Sequence, residues 1–556
     1  MFEKNLKAIN NLALQRRLSK ISPIESRIGV SYCVTPSNDY VLLKNEHPTD
    51  DLNNPREAIK TMIKNTIKQE MRSNDSIITF GIGLGYLLDE VFNQFQSKIY
   101  VYEPDLNLLH FVLSNVDISE HLSSGRVYIT NDIDELTVKL SSSFLTKDRI
   151  EILYLQNYAL IKNTELLLLT QKIFETCKSK IVDINTITKF SKQWLLNTIC
   201  NISKIQTQNT YLLSDLKDKF QGQTALIAAA GPSLSENIDF IKANRNKFVI
   251  FAVNKVIKYL IQNDIKPDFV VCLDAKNMNK TLQEFDSYLT ECNCIMDIRT
   301  DHAAMHRNFK KIFVNFSDSD TLTKKLQEYN NFIKQYDTGG SASTFALISA
   351  IKLGFAKIIL SGVDLAFKDD IIYSDGQTMN RISQEEIIVD QVKKNLVQVK
   401  SVQGTPVYTR EDYQAFIHHL AVLIKDFGHN EIYNTSSFGA EIYGTKNIAI
   451  DKIDLSANAS LANIAFVQPF KFEIKQFIQD EFYNINQIIA QLSKGVFSPA
   501  LVNTIVKSVF VYQYMQSDVL EVLQKNFAPE LAQNFVNETK NSIKTIVELL
   551  QQSKLI

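Results

Sequence analysis

Residues 225–234 read Ala225-Leu226-Ile227-Ala228-Ala229-Ala230-Gly231-Pro232-Ser233-Leu234, a short apolar run closed by a glycine, a proline and a hydroxyl. The run is short for a helix and predicts a buried strand. Gly231 lets the backbone turn sharply and approach a ligand, and Pro232 presets the first turn of a helix that Ser235–Ala243 continues. The same grammar recurs downstream. Phe248–Val253 ends at Asn254 and is followed by a helical Lys255–Gln262. Phe269–Leu273 ends at Asp274, and Lys357–Leu360 ends at Ser361-Gly362 with Asp364 just beyond. Strands separated by helices of this length imply parallel βαβ crossovers. In an open parallel sheet, ligands bind outside the carboxyl ends of the strands, near a switch in strand order. Gly231, Ser233, Asn254, Asp274, Gly362 and Asp364 all fall there, while the strand bodies stay apolar.

Working outward, 556 residues exceed one ordinary core. Three regions differ in pattern: an N-terminal region 1–215 with a small β-rich piece (Ile28–Leu43) and a Rossmann-like α/β unit, a central parallel-sheet region 216–455, and a C-terminal region 456–556 of amphipathic helical patterns that reads as a bundle. The fold class is therefore α/β and multi-domain. A net charge of -1 supplies no global field for nucleic acid or an anionic membrane. No stretch reaches the ~18 apolar residues of a membrane span, and the N-terminus lacks a signal-peptide core, so a cytoplasmic location is expected. Six scattered cysteines without a CxxC pair read as free thiols rather than a zinc site.

Two glycine turns in the central region are candidate anion cradles. At Gly231-Pro232-Ser233-Leu234, Ser233 and the free N–H groups of the next helix have the chemistry to receive a phosphate; the other reading is an ordinary βα turn. Thr338-Gly339-Gly340-Ser341 precedes the apolar helix Phe345–Leu353 and makes either a second cradle or a simple helix cap. Neither carries the lysine of a P-loop. Asp274 and Asp364 are suited to accept from sugar hydroxyls or to act as bases, and equally to cap helices. Asp318-Ser319-Asp320 follows the apolar run Lys311–Phe316, as a metal-holding D-x-D would, but reads more simply as a polar turn. His302 and His306 lack the glutamate of a zinc helix, and His418-His419 sits within a helical run. In the N-terminal region, Ser76–Phe80 leads to Gly81-Ile82-Gly83-Leu84-Gly85 and Lys98–Tyr102 leads to Glu103, the Rossmann-like arrangement for a nucleoside, which is similar to the S-adenosylmethionine site of methyltransferases; the other reading is a structural or vestigial domain that binds nothing.

Taken in order, Ala230 to Leu234, Asn254, Lys266-Pro267-Asp268 leading to Asp274, Thr338 to Ser341, Gly362-Val363-Asp364-Leu365-Ala366, Tyr373-Ser374-Asp375-Gly376 and Tyr433-Asn434 through Gly439-Ala440 resemble the motility-associated factor (Maf) family of flagellin glycosyltransferases. The stretch His47-Pro48 to Pro55-Arg56-Glu57-Ala58 matches its N-terminal region. The resemblance implies a central domain like that of bacterial sialyltransferases and transfer of a nonulosonic acid, pseudaminic or legionaminic, from its CMP-activated form to Ser or Thr of flagellin. It implies CMP-sugar and flagellin as partners, no required cofactor or metal, and a role in flagellum assembly and motility. Gly231, Pro232, Ser233, Leu234, Asn254, Thr338, Gly339, Gly340, Ser341 and Gly362 would bind substrate, with Asp274, Asp364 and Tyr373 in catalysis. The chain departs from many relatives in having Val363 before the aspartate, where they have Gln, and Tyr373 where they have His. The same central motif also resembles archaeal pterin pyrophosphokinases, and a non-catalytic flagellin-binding protein is the remaining alternative.

Overall fold

The computed structural model describes residues 1–143, 148–317, 321–331, 336–367, 396–426, 431–455, 458–493, 497–524 and 531–556. The chain forms two compact units, Met1–Thr186 and Ile187–Ile556, divided within the helix Asn163–Ile205.

In the first unit, β1 (Val30–Val34), β2 (Tyr40–Lys44) and β3 (His47–Pro48) form a small antiparallel sheet. The strands β4 (Ser76–Phe80), β5 (Lys98–Tyr102), β6 (Val127–Thr130) and β7 (Ile150–Tyr154) form a parallel sheet in the order β6-β5-β4-β7. The expected Rossmann-like half is present. Its strand order, outward from β4 to β6 and then back to β7, switches at β4, so the Gly81–Gly85 turn lies at a switch point.

The second unit is built on a parallel sheet. Its strands are β8 (Tyr211–Leu212), β9 (Thr224–Ala228), β10 (Val249–Val253), β11 (Phe269–Cys272), β12 (Asn293–Asp297), β13 (Lys311–Asn315) and β14 (Lys357–Ser361). A hairpin of β15 (Leu396–Lys400) and β16 (Pro406–Arg410) stands apart, and β17 (Glu431–Asn434) and β18 (Lys446–Asn447) complete the sheet. The order is β18-β17-β14-β9-β10-β11-β12-β13-β8, with every pairing parallel. From β9 the chain walks outward through β10 to β13, then returns to place β14 on the other side of β9. The order reverses between β9 and β14, which fixes where a ligand cleft opens.

Side-chain alternation divides the outer strands between two cores. Phe269, Val271, Ile295 and Phe313 enter a core with the β9, β10 and β14 side chains, Phe251 stacking on Phe269 at 4.9 Å. Their neighbours Val270, Cys272, Cys294, Met296, Ile312 and Val314 point to the other face. The C-terminal helices Lys475–Leu492, Pro499–Lys507, Val509–Tyr514 and Ala532–Gln552 cover that face with Phe477, Ile488, Ile505, Phe510 and Ile546. The segment that reads in sequence as a helical domain thus shares its core with the sheet. All six cysteines are free, and Cys272, Cys292 and Cys294 are buried. Among the described residues, no helix is long and apolar enough to cross a membrane.

Candidate functional site

The turns after β9 and β14 meet at the switch point. Gly231 donates its N–H to the Gly362 carbonyl at 2.8 Å. The side chain of Asp364 reaches back to the helix Ser233–Ala243: one carboxylate oxygen accepts the Ser233 N–H at 2.9 Å, the other accepts the Ser233 hydroxyl. The Ser233 oxygen in turn accepts the Gly362 N–H at 3.2 Å. An anion at a helix N-terminus is where the dipole and the unpaired N–H groups favour it. Here the protein's own Asp364 carboxyl group occupies that place.

This changes two expectations. Ser233 is fully buried and its hydroxyl and N–H are committed to Asp364, so it is a strut between two turns and not a phosphate contact. Asp364 is 2 % exposed and also accepts from Ser436; burial pushes its carboxyl pKa upward against these hydrogen bonds. A base facing substrate needs access that Asp364 lacks, so its role is positioning. Gly231 and Gly362 are glycines for steric reasons. A Cβ on Gly231 would lie 2.5 Å from the Asp364 carboxylate, and one on Gly362 would lie 2.1 Å from the Ala229 carbonyl, with φ at +75° besides. Leu365 follows with φ +48°, a left-handed conformation rare for a bulky residue, its carbonyl held by the Thr409 hydroxyl at 2.6 Å.

Below the turn lies a polar network that no sequence motif marks. The Asn237 amide donates to the Ser233 carbonyl and to the hydroxyls of Ser361 and Thr435 at 3.0–3.1 Å, and Thr435 donates to the Leu360 carbonyl. Asn237 lies one helical turn after Ser233, and a mid-helix asparagine after a βα turn is the available signal. Thr435 and Ser436 follow β17, whose place beside β14 is a matter of strand order.

Asn254, at the end of β10, is buried and donates to the Asp274 carboxylate at 3.0 Å, while Asp274 itself is exposed. The two residues expected to face ligand are thus joined across adjacent strands. The helix Ala342–Lys352 packs across β9, β10, β11 and β14 and leads into β14, so it runs against the strands and begins at their carboxyl rim. Its start is the second glycine turn. Gly339 and Gly340 have φ of +63° and +76°, and Ser341 caps the helix by accepting the Thr344 N–H at 3.1 Å. The capping reading of Ser341 holds, and Gly340 remains exposed. Phe416 and His419 of the helix Glu411–Asp426 wall this turn, the His419 Nε2 lying 3.1 Å from where a Gly339 Cβ would stand. Because the β9-to-β10 and β13-to-β14 crossovers travel in opposite directions, right-handedness sets their helices on opposite faces. Both start at one rim, on either side of the cleft. Pro232, Leu234 and Thr338 are buried supports of these turns. Tyr373 and Asp318-Ser319-Asp320 lie outside the described residues.

The glycine turn of the first unit is built differently. Glu103 is fully buried and accepts the N–H groups of Ile82 (3.0 Å) and Asp105 (2.9 Å) and the Tyr158 hydroxyl. The Tyr158 ring lies 2.6 Å from a would-be Cβ on Gly81, and Leu155 lies 2.9 Å from one on Gly83. The phenol therefore takes both the space over the glycines and the acid that a nucleoside ribose would use. Burial raises the Glu103 pKa to about 7.

Residues 26–167 match the family described as glycosyltransferase Maf N-terminal domain, and residues 196–370 match the 6-hydroxymethylpterin diphosphokinase MptE-like family. An uncharacterized protein of Treponema pallidum (strain Nichols) is 28 % identical over 129 residues, covering 22 % of this chain and 59 % of that protein. The whole chain superposes on the structure of a Maf glycosyltransferase from Magnetospirillum magneticum AMB-1 with a TM-score of 0.69 at 15 % identity, covering 100 % of this chain and 96 % of the other.

Proposed function

Residues 26–167 carry the Maf N-terminal domain and the chain has the fold of a Maf glycosyltransferase throughout; from this premise we propose that the protein is a glycosyltransferase that moves a nonulosonic acid from CMP to a serine or threonine hydroxyl of flagellin. The observation that carries the reading is the pairing, in one chain, of that N-terminal domain with a glycine-built cleft at the switch point of a second parallel sheet.

The CMP phosphate rests against the backbone of the Gly231 turn, which Asp364 and Ser233 hold in place from behind. Asn254 and Asp274 receive hydroxyls of the nucleotide or sugar, and the Gly339–Ser341 turn approaches from the opposite face of the sheet. As the bond to phosphate breaks, positive charge develops on the sugar and negative charge on CMP. Donors of the Gly339–Ser341 turn and the Tyr373 hydroxyl stabilise that charge without reorganising, since the N–H groups of the Gly231 turn are committed to protein acceptors. Tyr373 is assigned as a donor to the leaving phosphate.

The test mixes purified protein, CMP-pseudaminic or CMP-legionaminic acid, and flagellin, with EDTA present. Release of CMP together with the sugar mass on flagellin supports the proposal, and Asn254→Ala and Asp274→Ala should lose it while staying folded. No transfer from either donor refutes it. The match of residues 196–370 to pterin diphosphokinases favours a second reading, which magnesium-dependent ATP consumption with a hydroxymethylpterin would establish instead.

A further inference from the structure

An aromatic row joins the loop after β14 to the second glycine turn. Phe367 follows shortly after Asp364, and its ring centroid lies 6.2 Å from that of Tyr413. Tyr413 in turn lies 6.3 Å from Phe416, on the same helix Glu411–Asp426. All three residues are half-buried. Among the described residues, Phe416 Cε1 at 3.7 Å is the one heavy atom within 4 Å of where a Cβ on Gly340 would stand, so the ring edge borders that exposed turn. Arg410 takes one face of Tyr413, with its guanidinium carbon 4.4 Å from the ring centroid and its charge paired with Asp412. Strain goes into making this row. Leu365 holds its left-handed φ of +48° because the Thr409 hydroxyl grips its carbonyl, and the Phe367 N–H then donates to the Tyr408 carbonyl at 3.0 Å. A strained backbone kept in place by its surroundings marks a functional placement, here of the ring at Phe367.

The rim of the cleft is thus chemically two-sided. Toward β10 and β11 it presents the Asn254 amide and the Asp274 carboxylate, joined at 3.0 Å. From the β14 side it presents rings. A nucleotide-activated sugar has matching halves on either side of its phosphate. Its sugar is polyhydroxylated and is held by hydrogen-bonding groups, and its base is flat, with a π face that stacks on aromatic side chains. With the phosphate at the Gly231 turn after β9, the sugar ring bonded to it falls beside Asn254 on the adjacent strand β10. The nucleoside then runs the other way, past Gly340.

We propose that Phe416, backed by Tyr413 and Phe367, is the platform on which the donor's nucleobase stacks, so that the donor lies across the cleft with its base on the β14 side and its sugar at Asn254 and Asp274; this rests on the glycosyltransferase reading above. Stacking accepts any base, so the platform supplies affinity and orientation and leaves the choice of base to other contacts.

The experiment measures binding of CMP and of ribose phosphate, which carries no base, to full-length wild type, Phe416→Leu and Phe416→Trp by calorimetry, and follows tryptophan emission. Phe416→Leu keeps the apolar bulk and removes the π face. Its Kd for CMP should rise by roughly 10-fold, while its Kd for ribose phosphate stays within about threefold of wild type. Phe416→Trp should bind CMP as tightly as wild type. CMP should quench its emission to an extent absent from wild type, whose single tryptophan is Trp194, and ribose phosphate should not. Asp274→Ala should keep its CMP affinity within about threefold while transfer is lost, because its partner is the sugar. Wild-type CMP affinity in Phe416→Leu, or an equal loss for both ligands, overturns this proposal, and transfer by wild type from the CMP-sugar leaves the glycosyltransferase reading standing. A wild type that neither binds CMP nor transfers the sugar overturns both.

Discussion

Replacing Ser233 with alanine separates a strut from a ligand contact. The substitution removes a hydroxyl donor to the buried Asp364 carboxylate and the acceptor of the Gly362 N–H. A hydrogen bond to a charged group contributes about 1.5–3 kcal/mol, and stranding a buried N–H costs about 1 kcal/mol more, so the loss is about 2–4 kcal/mol. Unfolding entropy near 2.1 cal/mol/K per residue gives residues 187–556 roughly 0.8 kcal/mol/K, so Tm should fall by about 3–5 °C where this unit unfolds cooperatively. The effect has a pH sign. The folded pKa of Asp364 lies above its ordinary value, so its contribution is fully present below the unfolded pKa and is lost as pH rises through the folded one. Ser233 stabilises the ionised form, so the gap between wild type and Ser233→Ala should widen with rising pH. The assay is thermal unfolding from pH 5 to pH 8, with and without CMP. The variant should unfold earlier and still gain stability from CMP. A variant with wild-type Tm and no response to CMP would make Ser233 a ligand contact and refute the reasoning.

The other predictions address the remaining turns. Gly362→Ala should destabilise more than Gly231→Ala in urea unfolding, because it meets backbone at 2.1 Å and demands a positive φ; the reverse order would contradict the packing of the two turns. S-adenosylmethionine should leave Tm unchanged, since Tyr158 fills the space over Gly81, and a rise of several degrees would show that the phenol moves aside. Glu103, pushed up to about 7 from 4.5, contributes stability below pH ~4.5 that is lost as pH rises through about 7, worth on the order of 3 kcal/mol. Glu103→Gln should flatten the Tm profile of the first unit over that window, and an unchanged slope would assign it to another group, Asp50 being raised to about 7 as well.

The strands and their turns were legible because each is local: Ala225–Ala230 and Phe248–Val253 are apolar runs ended by small polar residues, and both became buried strands. The meeting of Ser233 with Asp364 was not. They are 131 positions apart, and contact between them depends on β14 returning to the side of β9. The glycine turn of the first unit shows the converse limit. Its motif and its acid were read correctly as neighbours, but the Tyr158 that occupies them lies 55 positions beyond Glu103 in a helix with no motif of its own. The amphipathic faces of the C-terminal helices announced a partner without saying which; the alternation of β11 to β13 supplied it.

The return of β14 to the flank of β9 also governs how the molecule can be made. A nascent chain that has emerged only through β13 holds β9 as a bare outer strand, five mostly apolar residues long, with one ladder of N–H and C=O groups open to any other strand. Such an edge invites pairing between chains. Genes truncated between residues 316 and 356 should therefore yield aggregating fragments, and once Lys357–Ser361 covers β9 the open edge passes to that strand until Glu431–Asn434 pairs with it.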